Sequence, residues 1–242
     1  MYGLIANFGD DSIALIQWAH QNQLRDVHVL SVDTGWQADA WQSRVLQARD
    51  WIQSLSFEHH HLKAEHDFKA LVTARKQFPS QKFHWCAGFL KGLPILNWFE
   101  ENDESLEATI LLASRRKMSK ACGDLPKAVE AAERYDERLI EYPLVNYDLK
   151  MRDALIAKTP FKKALNHRSL ECHACIYLTK TEVATFTPED IKRVEKLEKK
   201  IGSTMFGSNF SEHLSKISQQ SKKHNYYDEF AKSCSFDYSC GL

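Results

Sequence analysis

Residues 2–18 read YGLIANFGDDSIALIQW. Tyr2 to Asn7 is a short apolar run, Gly9-Asp10-Asp11-Ser12 interrupts it, and from Ile13 through Trp18 to Leu24 the apolar residues recur at helical spacing. That order reads strand, tight turn, helix. A turn so placed aims backbone N–H groups and the helix dipole at an anion, and a glycine in it lets the backbone approach a phosphate closely. The same residues also read as a plain helix start with Asp11 or Ser12 as N-cap.

Working outward, the unit recurs. Val27 to Val32 is a β-branched run ending at Asp33-Thr34-Gly35, and Ala38 to Leu55 has helical spacing. Phe57 to Leu62 reads as a third strand and Thr109 to Leu112 as a fourth. Strands alternating with long helices predict an α/β fold with a parallel twisted sheet flanked by helices, its ligands at the carboxyl ends of the strands, where Gly9 and Asp33 fall. Near residue 160 the texture changes to a Cys-x-x-Cys, two charged helical segments at 187–201 and 208–223, and a cysteine-bearing tail. This predicts a main domain over 1–160 and a helical, Cys-bearing C-terminal extension over 161–242. The tract KRVEKLEKK (192–200) reads as a solvated helix face.

With 242 residues, 43% hydrophobic and 26% charged, the chain is long enough for a substantial core, which excludes disordered and low-complexity classes. Lys+Arg and Asp+Glu both count 32, so no global field draws it toward nucleic acid or a lipid surface. No stretch reaches 18 consecutive apolar residues, and the start lacks the charged region of a signal peptide, so a cytoplasmic protein without membrane contact is expected. In that compartment six cysteines point to metal ligands, redox groups or buried thiols.

Five segments resemble, in order, the phosphoadenosine phosphosulfate (PAPS) reductase family of the PP-loop, adenine nucleotide α-hydrolase superfamily. Asn7 to Ser12 is similar to its S-G-G-x-D-S loop, and Val32-Asp33-Thr34-Gly35-Trp36 to its D-T-G segment. Phe83-His84-Trp85-Cys86-Ala87 with Leu90-Lys91 and Pro94-Ile95 resembles R-W-C-T-x-x-L-K-x-x-P-I. Ala113-Ser114-Arg115-Arg116 with Ser119 resembles G-x-R-x-x-x-S, and Tyr142-Pro143-Leu144 with Cys172-His173-Ala174-Cys175 resembles the closing P-L and G-C-x-x-C. The sequence departs from the pattern at Asn7 and Phe8, which replace a serine and a glycine, at His84 and at Ala113. Asp10 adds a negative charge beside the loop, for which Lys91, Arg115 and Arg116 are the nearby cations in the motifs.

The resemblance implies an ATP pyrophosphatase that adenylates a nucleic-acid oxygen for sulfur incorporation, as in DNA phosphorothioation or RNA thiolation, with a cysteine desulfurase or other sulfur donor protein as partner. Two alternatives stay open: a sulfonucleotide reductase with Cys240 as nucleophile, and a non-catalytic nucleotide-binding subunit. Residues 1–160 would be the nucleotide-binding domain, with ATP and Mg²⁺ as cofactors. Asn7, Phe8, Gly9, Asp10, Ser12, Asp33, Thr34, Gly35, Arg116 and Ser119 would bind the nucleotide. Asp11 would hold the loop or Mg²⁺, while Lys91 and Arg115 would neutralise charge at the α-phosphate; solvated surface side chains are the other reading of that pair. Asp33 reads equally as a turn-forming residue before Thr34-Gly35.

Cys172-x-x-Cys175 has chelating spacing, and Cys234 and Cys240 add two sulfurs suited to Zn²⁺ or an iron–sulfur cluster. Family members with iron–sulfur clusters also draw ligands from the segment of Cys86, which makes a [4Fe-4S] cluster the implied cofactor and Zn²⁺ its alternative. A redox pair or buried thiols remain the other readings. His59-His60-His61 alternates across a strand, so the three cannot all chelate one ion, and a surface strand end is expected. Basic clusters at Arg115-Arg116-Lys117-Lys120 and at Lys158, Lys162, Lys163, His167 and Arg168 could track a phosphate backbone.

Overall fold

The computed structural model describes residues 1–118 and 122–219. Its centre is a six-stranded sheet in the order β3-β2-β1-β4-β6-β5. The strands are β1 (Tyr2–Ile5), β2 (Val27–Asp33), β3 (Glu58–Lys63), β4 (Thr109–Leu111), β5 (Ala128–Ala132) and β6 (Arg138–Glu141). All neighbours pair parallel except β5 with β6, which is antiparallel. The four strands expected from sequence are present; β5 and β6 extend the sheet beyond them.

Helix α1 (Asp10–Gln21) connects β1 to β2, and α2 (Asp39–Ser54) connects β2 to β3. Then come α3 (Phe68–Arg75), α4 (Trp85–Ala87), a π-helical turn over Gly88–Gly92 and α5 (Leu93–Asn102). After the sheet follow α6 (Leu149–Ile156), α7 (Lys180–Val183), α8 (Pro188–Ile201) and α9 (Phe210–Gln219). The two charged segments expected to be helical are α8 and α9; α8 carries a Thr187/Asp190 capping box and ends at Gly202 in the left-handed region.

Strand alternation divides the apolar residues between the faces. Leu4, Val27, Val29 and Leu111 meet α1, α2 and α6 in one cluster. Leu30, Val32, Ile110 and Ile140 meet Trp98 and Phe99 of α5 in the other. A third cluster, built on Trp36, Phe68, Trp85, Cys86, Val194 and Phe210, joins α3, α4, α8 and α9.

One buried ion pair fixes the turn from α5 into β4. Arg138 is fully buried; its Nε donates to Asp103 Oδ2 at 2.7 Å and its Nη2 to the Asp103 carbonyl at 2.9 Å. The same carboxylate accepts from the backbone N–H groups of Glu107 and Ala108. Removing Asp103 leaves the buried Arg138 with only the half-exposed Asp136 carboxylate at 3.2 Å, so Asp103→Ala is expected to lower stability by about 3 kcal/mol in urea unfolding, with Asp103→Leu/Arg138→Met recovering much of it. A single variant that loses less than about 1 kcal/mol would show that the pair does not hold the turn.

Candidate functional site

Strands β2 and β3 lie on one side of β1, and β4, β6 and β5 on the other. The strand order therefore reverses between β1 and β4, and ligands of open parallel sheets enter outside the carboxyl ends at such a point. Residues Ala6–Gly9 leave β1 there, and Ala113–Arg115 leave β4 beside them.

In the loop, Asn7 Oδ1 accepts from the Gly9 N–H at 2.9 Å and from the Ser12 hydroxyl at 3.2 Å. The carboxamide oxygen thus occupies the two donors that the sequence offers to an anion. Ser12 Oγ also lies 3.0 Å from the Gly9 carbonyl, and Ser169 Oγ donates to the Asn7 carbonyl at 3.0 Å. A Cβ on Gly9 would stand 3.0 Å from Asn7 Oδ1 and 3.4 Å from Ser169 Cβ, a close approach that a side chain there would have to widen by a few tenths of an ångström. Phe8 adopts φ 56°, a conformation that favours glycine. Its ring does not stand over the loop: it is buried in the core, edge-on to His59, and Arg44 Nε donates to its carbonyl at 2.7 Å.

Asp10 and Asp11 open α1, with Gly9 as N-cap in place of the expected Asp11 or Ser12. Arg115 Nε donates to Asp11 at 2.7 Å, and Arg152 Nη1 stands 3.9 Å from it. Asp10 accepts from the Leu165 N–H at 3.0 Å, with Arg152 at 3.5 Å and Arg44 at 4.0 Å. The charge of Asp10 is therefore offset by Arg152 and Arg44, which no motif marked, instead of by Lys91, Arg115 or Arg116. Arg116 ties the Leu125 carbonyl to Asn146 Oδ1.

Asp33 Oδ1 accepts from the Gly35 N–H at 2.8 Å, the turn-forming geometry. Gly35 has φ 63° and a Cβ there would strike Asp67, so the residue has to be glycine. Thr34 is fully buried and donates to the Glu171 carbonyl, which docks this turn on the Cys172 segment. His173 N–H donates to the Trp36 carbonyl, and Trp36 Nε1 to the Ala174 carbonyl.

Lys91 is buried and pairs with Glu171, itself buried. Lys91 and Arg115 are thus both interior cations rather than solvated ones. A cleft is lined by Asn7, Lys91, Ser169, Glu171, Cys172 and Cys175. A second, narrow cavity carries Cys86, Lys91, Cys172 and Cys175. The fold therefore brings the loop and Lys91 to Cys172 and Cys175, with Cys86 in the adjoining cavity, from segments up to 168 residues apart in sequence (Asn7 and Cys175). Burial pushes the Cys172 thiol up to about 12, against the pull of Lys91, so in this state it is the neutral thiol. Ser119, Cys234 and Cys240 lie outside the described residues. Of the second basic cluster, Arg168 is buried in a bidentate pair with Glu182.

On the far side of α4 and the π turn runs an apolar groove lined by Lys82, Phe83, Trp85, Phe89, Leu93 and Arg134, with Phe83 and Phe89 exposed. Arg75 lies over the rings of Phe83, Trp85 and Phe89. No helix among the described residues is long and apolar enough to cross a membrane.

Burial lifts the Asp10 carboxyl from 3.8 to about 6, with Asp11 adding to the rise and Leu165, Arg152 and Arg44 opposing it. The folded state then holds a proton that the unfolded chain has released, so the stability contributed by protonated Asp10 is lost as pH rises from 3.8 to about 6. His59, held down to about 4 chiefly by burial, acts in the opposite direction over an overlapping range. Comparing Asp10→Asn with the parent protein cancels the histidine effect. The variant is expected to lack the parent's loss of stability across that window, about 3 kcal/mol in total, in Tm followed against pH. Superimposable pH profiles would contradict this.

No family model matches the chain, and none of the curated proteins does. Among solved structures it is similar to a phosphoadenylyl-sulfate (PAPS) reductase from Candida auris in its phosphate complex, at 15% identity and TM-score 0.45 over 66% of this chain and 74% of that one. An NMN synthetase from Francisella tularensis is similar at 13% identity and TM-score 0.49, covering 91% of this chain and 89% of the other. An FMN adenylyltransferase from Candida glabrata, with FMN and the ATP analogue AMPCPP, is similar at 10% identity and TM-score 0.40, over 64% and 46% respectively.

Proposed function

We propose that this chain is a PP-loop ATP pyrophosphatase that activates a nucleic-acid oxygen for replacement by sulfur. The observation that carries the reading is the single cleft in which Asn7 of the loop, Lys91, Cys172 and Cys175 meet. A loop at a helix N-terminus and two thiols facing one space support a reading in which phosphate activation is coupled to sulfur delivery.

In the reaction, an acceptor oxygen attacks the α-phosphorus of ATP, the α–β bond breaks, and pyrophosphate leaves; a sulfur nucleophile then displaces AMP from the adenylated acceptor. Lys91 exchanges Glu171 for the phosphate, and Arg115, hydrogen-bonded to Asp11, lies beside the loop. Negative charge that develops at the phosphate is then met by cations already desolvated. Mg²⁺ would be shared between the phosphates and Asp33, since Asp10 and Asp11 are committed to arginines. The groove of Phe83, Trp85 and Phe89 edged by Lys82 and Arg134 has the stacking rings and cations that suit single-stranded nucleic acid. A desulfurase or other protein sulfur donor supplies the sulfur.

Cys86, Cys172 and Cys175 suit a soft metal or an iron–sulfur cluster by donor type. Tetrahedral zinc with Zn–S of about 2.3 Å needs sulfurs within about 4 Å of one another. Among the described residues the three-ligand group that close-set is elsewhere, at His28, Glu58 and His60, so the three sulfurs would have to draw together around a zinc ion.

The second reading, a nucleotide-binding subunit without turnover, is favoured by Asn7 standing on the loop's donors. Anaerobically purified full-length protein, given ATP, Mg²⁺, sulfide and single-stranded DNA or RNA, is expected to release pyrophosphate, and Lys91→Ala to cut the rate by about 10²-fold or more. ATP binding without pyrophosphate release would overturn the proposal in favour of the second reading. Sulfite release from PAPS that depends on Cys240 would overturn it in favour of reduction. Asn7→Ser frees the Gly9 N–H and the Ser12 hydroxyl and is expected to tighten ATP about tenfold, close to 1.4 kcal/mol, by calorimetry. Unchanged or weaker binding would place the phosphates off this loop.

A further inference from the structure

The histidine run divides as strand alternation requires. His59 and His61 both reach Ser31 Oγ at 2.8 Å on one face of the sheet, and His60 lies on the other beside His28 of β2. On that second face three ligand atoms converge: His28 Nδ1 is 3.1 Å from His60 Nε2, and Glu58 Oε2 is 3.5 Å from each. We propose that His28, Glu58 and His60 form a binding site for a divalent transition-metal ion of the zinc, nickel or cobalt class, clamping edge strand β3 to β2.

The distances are those of a tetrahedral face. Ligands about 2.0–2.1 Å from a central ion stand about 3.3–3.4 Å apart, within a few tenths of an ångström of all three separations. The tautomer also suits. Asp26 Oδ1 lies 3.0 Å from His28 Nε2, so that nitrogen donates and Nδ1 keeps its lone pair toward Glu58 and His60. A carboxylate behind a liganding imidazole is the usual outer partner of such sites. Without metal, the proton on His60 Nε2 is shared with His28 Nδ1 and Glu58; metal takes its place, and the proton is released or carried by Nδ1.

Trp98 covers the inner side, its ring 4.8 Å from His60 and 5.4 Å from His28, while the Glu58 side chain is 69% exposed and leaves a fourth position toward solvent. Two imidazoles, one carboxylate and an open position suit borderline ions, whereas Mg²⁺ and Ca²⁺ prefer all-oxygen ligands. The site lies at the amino ends of β2 and β3, away from the loop after β1, and is independent of the nucleotide reading.

Full-length protein is titrated with Co²⁺ or Zn²⁺ alone. The expected result is one equivalent bound with a cobalt spectrum of nitrogen and oxygen ligation, distinct from the thiolate-to-cobalt charge-transfer band of any cysteine site. Glu58→Gln and His60→Gln lose that equivalent, and Asp26→Asn weakens it about 10–100-fold. Glu58 is exposed at a strand start, so its variant is expected to keep the parent's circular dichroism, and Tm of the parent alone rises with metal. The proposal is overturned if no metal binds, if stoichiometry is unchanged in folded Glu58→Gln, or if the cobalt spectrum reports sulfur ligands only.

Discussion

Two adjacent carboxylates at the head of α1 are the constraint around which the rest of the site is built. Asp10 is buried, and burying a carboxylate is costly unless cations and donors surround it. Arg44 comes from α2, Arg115 from the segment after β4, Arg152 from α6, and the Leu165 N–H from the chain beyond it. Meeting that requirement draws four distant segments onto the start of one helix. The crevice between β1 and β4 is thereby walled by charge already paired, and a helix N-terminus rests against it without an uncompensated field.

The same economy of pairing governs the interior of the crevice. Lys91 rests on Glu171, the loop's donors rest on Asn7, and the Cys172 thiol stays protonated by burial. Each group that could engage a nucleotide or sulfur is held by a neighbour within the chain. On the proposed reading, nucleotide binding is an exchange of partners. That exchange keeps buried charges from ever standing alone, and it makes affinity depend on how readily Asn7 and Glu171 yield.

Much of this was legible in the sequence, and the reasons for the remainder are physical. Strand, turn and helix over residues 2–24 were readable because period 2 gives way to period 3.6 at a glycine, and β2, α2 and β3 followed by the same signal. Lys91, Cys86 and the Cys172 pair stood out by motif, and the fold joins them in one space. Strands β5 and β6 did not stand out: Ala128–Ala132 is short and alanine-rich, and Arg138–Glu141 carries a charge at each end, so neither has an apolar alternation. Arg138, which no sequence motif singled out, is a fully buried ion-pair member, a placement only tertiary contacts decide. Arg44 and Arg152 sit in ordinary amphipathic helices, and nothing in their local sequence marks their shared target. Phe8 was misleading for the opposite reason, since its ring turns into the core while only its backbone stays in the loop.

The central claim is that phosphate is gripped where Asn7 now stands, between the Gly9 N–H and the sulfur-bearing cleft. The direct measurement is a crystal structure of the full chain with Mg²⁺ and a non-hydrolysable ATP analogue. The account predicts phosphate oxygens on the Gly9 N–H and the Ser12 hydroxyl, the Asn7 carboxamide turned away, and Lys91 released from Glu171. A nucleotide bound elsewhere, with the contacts of Asn7 and Glu171 unchanged, would contradict it.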